Sequence, residues 1–198
     1  KWVEFSRVRH PLFWIDSSAG YRLRTMAQII DMPWDWPVEV NYLEAKAFCN
    51  WLASKTGRPT RLPTEAEWYR LRDLHDIPDQ PYWRNAPGNI NLEHWASSCP
   101  VSHFRFGEFF DIIGNVWQWT ETPIAGLDGF TVHPYYDDFS TPTFDTQHNL
   151  IKGGSWISTG NEATRGHLYH DEADDQHRHP VAALFRPAAL AIQSIGNP

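Results

Sequence analysis

The sequence predicts one mixed α+β domain in which two helices and short antiparallel strands are joined by ordered loops. Three observations support this prediction. The 198 residues are 41% hydrophobic, which is enough for one well-formed core. The chain contains 11 Trp, 15 Pro and 12 Gly, a composition typical of short elements and not of long helices. Two segments carry helix-capping signals, and two others have strand-like patterns.

Both predicted helices begin at a capping box, in which an N-cap side chain and a Glu three residues later satisfy each other's backbone N–H groups. The first helix is expected over residues 42–55, after Asn41, with an apolar stripe at helical spacing and a stop at Gly57. The second is expected over residues 65–73, after Thr64.

Strands and loops account for most of the remaining chain. Residues 1–40 combine aromatic residues with helix-breaking prolines and predict one or two short strands. Residues 78–106 are rich in Pro, Asn and Gly and predict mostly ordered loop. The Val/Trp/Trp alternation within residues 115–120 predicts a half-buried strand, and residues 149–156 predict another.

The character of the chain changes after residue 165. All 11 Trp precede residue 157, whereas residues 166–198 hold four of the ten His and an Ala/Pro-rich end. No regular element is predicted there, and we interpret residues 166–198 as a divergent tail or as the product of a shifted reading frame. The His and carboxylate residues of 170–179 match no metal-ligand spacing and predict a solvated polar run.

Charge and cysteine usage limit the function classes. A net charge of −7, with scattered basic residues, predicts neither a nucleic-acid partner nor an anionic membrane. No long apolar run or signal segment is present, which predicts a cytoplasmic protein. Cys49 and Cys99 have no close cysteine partner and are expected to be buried thiols. A chain that begins at Lys1 is expected to be part of a longer polypeptide.

Three segments in order resemble one known family. They are residues 61–68 (RLPTEAEW), 114–119 (GNVWQW) and 153–156 (GGSW). Together they resemble the formylglycine-generating-enzyme-like, or sulfatase-modifying-factor, domain over residues 1–165. The resemblance implies an irregular, modified C-type-lectin fold. Independently, the paired glycines of the last segment would let one backbone approach another and leave room for an indole.

Within that family, further segments are similar to the 5-histidylcysteine sulfoxide synthases of ovothiol biosynthesis. These are residues 89–93 (NINLE), 96–101 (ASSCPV) and 119–124 (WTETPI). The similarity implies a non-haem Fe(II) enzyme that uses O₂ to join the sulfur of L-cysteine to the imidazole of L-histidine. It also implies that three histidines of a separate N-terminal helical domain of the same polypeptide hold the iron. No metal ligand is therefore assigned to this chain.

Tyr136 is the predicted catalytic residue, because residues 136–140 (YDDFS) resemble a Tyr-x-x-aromatic-Ser segment that lies beside the iron in the relatives. A phenol can donate a proton or a hydrogen atom to a reacting oxygen species. Phe139 stands where ergothioneine-type relatives have a second tyrosine and is expected to contact the histidine-derived substrate. Tyr135 is expected to bind substrate, and it takes the catalytic role if the alignment shifts by one residue. Simple packing is the alternative role for Tyr136.

Two alternatives remain open at the level of sequence. Asn115 and neighbouring carbonyls would suit a structural calcium ion, but Gln118 replaces an expected Glu, and the lost charge argues against calcium. The alternative function is a non-catalytic, lectin-like binding module, because one fold can host either chemistry or binding. A helical domain with three histidines, encoded upstream, would favour the enzyme.

Overall fold

The structure is a computed structural model. It describes residues 7, 9–81, 84–159, 163–166, 169–172 and 182–184. Its described helices are α1 (Tyr42–Thr56), α2 (Glu65–Leu74) and α3 (Asp137–Thr143). Its described strands are β1 (Trp14–Ser17), β2 (Gly20–Arg24), β3 (Ile29–Asp31), β4 (Val38–Glu39), β5 (Arg105–Phe106), β6 (Phe109–Phe110), β7 (Trp117–Pro123), β8 (His148–Lys152), β9 (Tyr169–Glu172) and β10 (Ala182–Leu184).

The strands form three sheets, which confirms the mixed α+β prediction. The main sheet has the order β4-β10-β7-β8-β9, and a second sheet has the order β1-β2-β3. Strands β5 and β6 pair as a short hairpin. Among the described strands, β10 runs parallel to β7, and the other pairings are antiparallel.

Both predicted helices are confirmed to within one residue. Asn41 accepts the N–H of Glu44 at 2.9 Å and donates its own N–H to the Glu44 carboxylate at 3.0 Å. Thr64 and Glu67 form the same reciprocal pair at the start of α2. Helix α1 ends at Gly57, whose φ of +68° is a left-handed conformation that few residues other than glycine adopt. Local capping chemistry therefore sets where these helices begin.

Helix α1 packs on the main sheet through one hydrophobic cluster and one carboxylate. The cluster consists of Ala45, Cys49, Leu62, Trp117, Trp119 and Ile151. Glu121, on β7, accepts hydrogen bonds from Lys46 at 2.5 and 2.7 Å, from Tyr42 at 3.3 Å and from the Leu62 N–H at 3.2 Å. Glu121 thus joins the sheet to α1 and to the segment that leads into α2.

Helix α2 docks through a buried indole and a buried cation. The Trp68 indole N–H donates to the Ile112 carbonyl at 2.9 Å. Lys152 on β8 is 1% exposed, lies 5.0 Å from the Trp68 ring centroid and donates to Glu65 at 3.1 Å. A buried ammonium needs both its carboxylate partner and the aromatic faces, so this contact aligns α2 with β8.

Strand β7 differs from the half-buried alternation that its pattern predicts. Residues 117–120 are all buried, because α1 covers the two indoles on one face and other groups occupy the opposite face. There Gln118 donates to the Asp111 carbonyl, and Thr120 donates to the Leu150 carbonyl at 2.8 Å. A strand buried on both faces carries no simple polarity signal.

Three further predictions need correction. The strand predicted over residues 149–156 ends at Lys152, because Gly153 and Gly154 have φ of +93° and +73°. The glycines do permit close approach, but a Cβ on Gly153 would meet the Gln118 amide at 2.9 Å and not an indole. A third helix, α3, was not predicted, since Pro142 lies within it. Strands β9 and β10 come from the part of the chain for which no regular element was predicted.

Asn115 connects three loops, its own included, from a fully buried position. Its backbone N–H donates to the Asn89 carbonyl at 2.8 Å, and its carbonyl accepts the Trp156 N–H at 3.1 Å. Its side-chain oxygen accepts the Cys99 N–H at 2.8 Å, and its amide donates to the Cys99 carbonyl and the Asp111 carboxylate, each at 3.1 Å. Asn89, Asp111 and Asn115 thus form a buried polar cluster of two amides and one carboxyl group.

Among the described residues, no helix combines the length and the apolar character that crossing a bilayer requires.

Two glycine substitutions separate backbone strain from close packing. Gly114 has a φ of +76°, and a Cβ there would lie 2.8 Å from the Asn89 carbonyl oxygen. Gly129 has a φ of +83° with no atom within 4 Å of its Cβ position. Gly129→Ala is expected to cost roughly 1–2 kcal/mol of unfolding free energy from the left-handed backbone alone. Gly114→Ala should cost about 1–3 kcal/mol more, because backbone must move. Equilibrium urea unfolding of both variants measures the difference, and equal losses would contradict the close approach.

Candidate functional site

The candidate site is the β7–β8 loop, residues 124–147, which contains every sequence-predicted site residue. Its two ends are held together at the sheet. The Ile124 N–H donates to the His148 carbonyl at 2.8 Å. The His148 ring bonds the Asp145 carboxylate at 2.9 Å, and this hydrogen bond lowers the pKa of Asp145 to about 2. The loop is therefore closed at its base and projects from the main sheet.

Tyr136 and Tyr135 lie on the surface of this loop. Their exposed fractions are 63% and 86%, respectively. The Tyr136 N–H donates to the His133 carbonyl at 2.8 Å, and its carbonyl accepts the Ser140 N–H at 2.9 Å. The ring centroids of Tyr136 and His133 are 5.8 Å apart. The backbone is thus held on both sides of Tyr136, while its phenol remains accessible.

His133 lies against both tyrosines. Its Nδ1 accepts the Tyr135 N–H at 3.2 Å, and the two ring centroids are 5.5 Å apart. No described residue forms a hydrogen bond with the Tyr136 hydroxyl, so that group is available to a ligand or to a covering structure. The structure therefore places an imidazole next to both residues that the sequence singles out.

Helix α3 follows Tyr136 directly. Asp137 and Asp138 occupy its first turn, where the positive end of the helix dipole favours carboxylates. Phe139 lies within this helix, and its side chain falls outside what the structure describes. Its predicted contact with a histidine-derived substrate stays a prediction.

The loop also exposes apolar side chains. Leu127 is 71% exposed, Phe130 is 49% exposed and Val132 is 38% exposed. Phe130 is held edge-on by Phe144, with ring centroids 5.6 Å apart. Apolar side chains grouped with exposed tyrosines are typical of a surface that another structure covers.

The described residues do not form a metal site. Among them, no group of three or more His, Cys, Asp or Glu side chains could hold a metal ion. The assignment of the iron ligands to a separate helical domain stays a prediction.

The side chains considered as calcium ligands form hydrogen bonds with other groups of the protein. Asn115 is engaged by Cys99 and Asp111. Gln118 directs its amide N–H groups at the carbonyls of Asp111 and Ile112. An N–H donor in this place uses the carbonyl oxygens that a cation would need, which agrees with the argument against calcium drawn from the missing Glu.

Both cysteines are buried, as predicted. Burial, reinforced by the nearby Asp111 carboxylate, raises the pKa of Cys99 to about 12. Burial also raises the pKa of Cys49. A thiol held in the protonated form is a poor nucleophile near neutral pH.

Sequence reasoning missed two residues of interest. His133 lies in a loop with no periodicity, and only its nearness to the tyrosines could have marked it. Asp111 is 3% exposed, and burial raises its pKa to about 7. A signal for Asp111 was present, because it is a lone carboxylate in the apolar run of residues 109–113.

The segments that carry the family resemblance build the frame and not the candidate site. Residues 61–68 form the start of α2, where Arg61 holds Glu67 at 2.6 and 2.8 Å. Residues 114–119 and 153–156 meet where the Gly114 N–H donates to the Gly153 carbonyl at 2.8 Å. The β7–β8 loop lies between the second and third segments in sequence.

Comparison with known families gives a match over most of the chain. The family described as "Sulfatase-modifying factor enzyme 1-like domain" matches residues 2–186. Hercynine oxygenase of Mycobacterium tuberculosis is 29% identical over 168 residues, covering 74% of this chain and 35% of that protein. Ergothioneine biosynthesis protein 1 of Schizosaccharomyces pombe is 28% identical over 155 residues, covering 75% of this chain and 18% of that protein. The chain thus spans about a third or less of these relatives.

A solved structure has the same fold. PvdO from Pseudomonas aeruginosa aligns with a TM-score of 0.53 and 20% identity, over 88% of this chain and 70% of that one. This likeness supports the irregular α+β architecture that the resemblance implies.

Asp111 is expected to make stability depend on pH. Burial raises the pKa of folded Asp111 to about 7, above its ordinary value of 3.8, so its stabilising effect is complete below pH 4 and is lost as pH rises through 7. The effect is at most ~4 kcal/mol. In Asp111→Asn the loss of unfolding free energy between pH 4 and pH 8 should shrink. Glu39, whose pKa burial raises to about 8, retains a dependence of the same sign. Urea unfolding across this range, compared with the unsubstituted chain, measures the effect, and identical profiles would contradict it.

Proposed function

Because this chain belongs to the sulfatase-modifying factor enzyme 1-like family, we propose that it is the lectin-like catalytic half of a non-haem Fe(II)- and O₂-dependent sulfoxide synthase. The proposed reaction joins L-cysteine to L-histidine, as in ovothiol biosynthesis. The observation that carries the proposal is the similarity to hercynine oxygenase across 74% of the chain. The accessible phenol of Tyr136, in a loop held at both ends, is compatible with it.

The proposed reaction balances without a further reductant. The cysteine S–H and one imidazole C–H bond break, a C–S bond forms, and the sulfur gains one oxygen atom. These changes release four electrons, which reduce O₂ to the sulfoxide oxygen and one water. The two hydrogens of the broken bonds appear in that water.

Tyr136 would act as a proton donor to the reacting oxygen. A phenol contributes to such steps when it lies within hydrogen-bond reach of the group that it protonates. The hydrogen bonds of its backbone to His133 and Ser140 limit how far the ring can move. His133, against the ring, would help to orient it.

The described residues supply no ligand set for iron. In this proposal the iron and its O₂ chemistry therefore belong to an N-terminal helical domain of the same polypeptide. The exposed apolar side chains of the β7–β8 loop are a suitable surface for such a domain to cover. Covering the loop would exclude water from Tyr136.

The full-length gene product loaded with Fe(II) should consume O₂ when both cysteine and histidine are present and should form their sulfoxide. Mass spectrometry of the product and an oxygen electrode measure this activity. If O₂ uptake does not depend on both amino acids, the proposed sulfoxide synthase activity is wrong, and a non-catalytic binding role explains the domain better.

Tyr136→Phe tests the catalytic role in the same full-length protein. Loss of the hydroxyl removes the proton donor but keeps the ring, so kcat should fall roughly 10²-fold or the product ratio should change. Tyr135→Phe is measured beside it, because Tyr135 is the neighbouring candidate for the role and is even more exposed. Unchanged kinetics and products in Tyr136→Phe would refute the role. A loss confined to Tyr135→Phe would transfer it to that residue.

A further inference from the structure

A cavity of about 310 Å³ lies away from the β7–β8 loop, with no lining residue in common. Its walls come from β1, β2, the segment that leads into β4, and the first turns of α1. Four aromatic residues and one carboxylate among its lining carry the argument: Trp14, Trp34, Trp36, Phe48 and Glu44. We call this cavity the aromatic groove. Its volume falls in the range of small-molecule sites.

The indoles of the groove face different directions. Trp14 and Trp34 are nearly perpendicular, with an interplanar angle of 88° and ring centroids 5.4 Å apart. Tyr21 supports Trp14 from a centroid distance of 5.2 Å. Perpendicular aromatic rings present both faces and edges to one cavity, and the faces carry negative electrostatic potential. A guest with a distributed positive charge is attracted by such faces.

The charge of the lining has the same sign as the ring faces. Among the described residues that line the groove, Glu44 is the only ionisable one. Its carboxylate accepts the Asn41 N–H at 3.0 Å, so the start of α1 fixes the position of this charge. A cation in the groove would therefore meet π faces and a pre-positioned carboxylate.

Three classes of guest can be compared with this lining. A neutral hydrocarbon would make no use of the carboxylate. A hydrated metal ion would gain nothing from mostly apolar walls. An anion would be repelled by both Glu44 and the ring faces. An alkylated ammonium group combines an apolar outer surface with a positive charge, and it suits both features of the lining.

We propose that the aromatic groove binds an alkylated ammonium compound, held by the indole faces and the Glu44 carboxylate. This site is independent of the β7–β8 loop and of the sulfoxide synthase reaction. The aromatic rings attract a cation through cation–π interactions, in addition to its ion pair with the carboxylate. Glu44 adds selectivity for a cation over a neutral molecule of the same shape.

Choline and its neutral isostere 3,3-dimethylbutan-1-ol are the probes. They differ in charge and little in shape, so the ratio of their affinities isolates the electrostatic part of binding. Titration of the 198-residue chain with each probe, followed by NMR or calorimetry, should show choline binding at least about fivefold more tightly. Equal affinities, or no binding of either probe, would overturn the proposal. Equal affinities would mean that the groove is only an apolar surface.

Glu44→Gln tests the carboxylate without removing the helix cap, because a Gln side chain can also complete a capping box. Choline affinity should fall about threefold or more, and isostere affinity should not change.

Trp36→Leu should weaken choline binding roughly fivefold through loss of a π face. Trp95→Leu is the control, because this indole packs against His103, with ring centroids 4.6 Å apart, and does not line the groove. An equal loss in Trp95→Leu, or unchanged choline affinity in Glu44→Gln and Trp36→Leu, would overturn the assignment.

Discussion

The hydrogen bonds of Asn115 are the constraint on which the frame of this domain depends. A fully buried amide bonds to Cys99 through both its oxygen and its nitrogen, while its backbone connects Asn89 with Trp156. These groups come from loops that have few ladder hydrogen bonds of their own. Because an unpaired buried amide would be costly, the loops are held in one arrangement. The neighbouring Asp111 is part of that arrangement, and burial raises its pKa to about 7.

The residues that stabilise the fold and the residues of the candidate site lie on different segments of the chain. The segments that identify the family provide the α2 cap, the Gly114–Gly153 contact and the buried strand β7. The β7–β8 loop is joined to that frame at its base and carries Tyr135, Tyr136 and His133 on an accessible surface. Loops on a rigid scaffold can vary without loss of the fold, which suits a family whose members include oxygenases. The aromatic groove lies on another part of the same scaffold, between the first sheet and α1.

The sequence predicted the local elements better than their environment. Helices α1 and α2 were predictable because Asn41 and Thr64 cap them through neighbours three residues away. The burial of Gln118 was not predictable, because the carbonyl groups that accept its amide belong to a different loop. Helix α3 was missed because Pro142 lies inside it, and β10 because its pairing partners are distant in sequence. For the site, the sequence marked Tyr136 through a resemblance, whereas only the three-dimensional structure revealed His133 beside it.

What the sequence determined alone was therefore the helix caps, the stop of α1 at Gly57, the buried character of both thiols and the family. The caps and the stop follow from interactions between residues close in the chain, and the family follows from the resemblance of three segments. The tertiary structure alone decided that Asn115 binds protein groups, that β7 is buried on both faces and that Tyr136 is exposed. It also decided that four aromatic side chains and Glu44 enclose one cavity. Each of these depends on contacts between segments far apart in sequence, and no local pattern encodes which surfaces such contacts will bury.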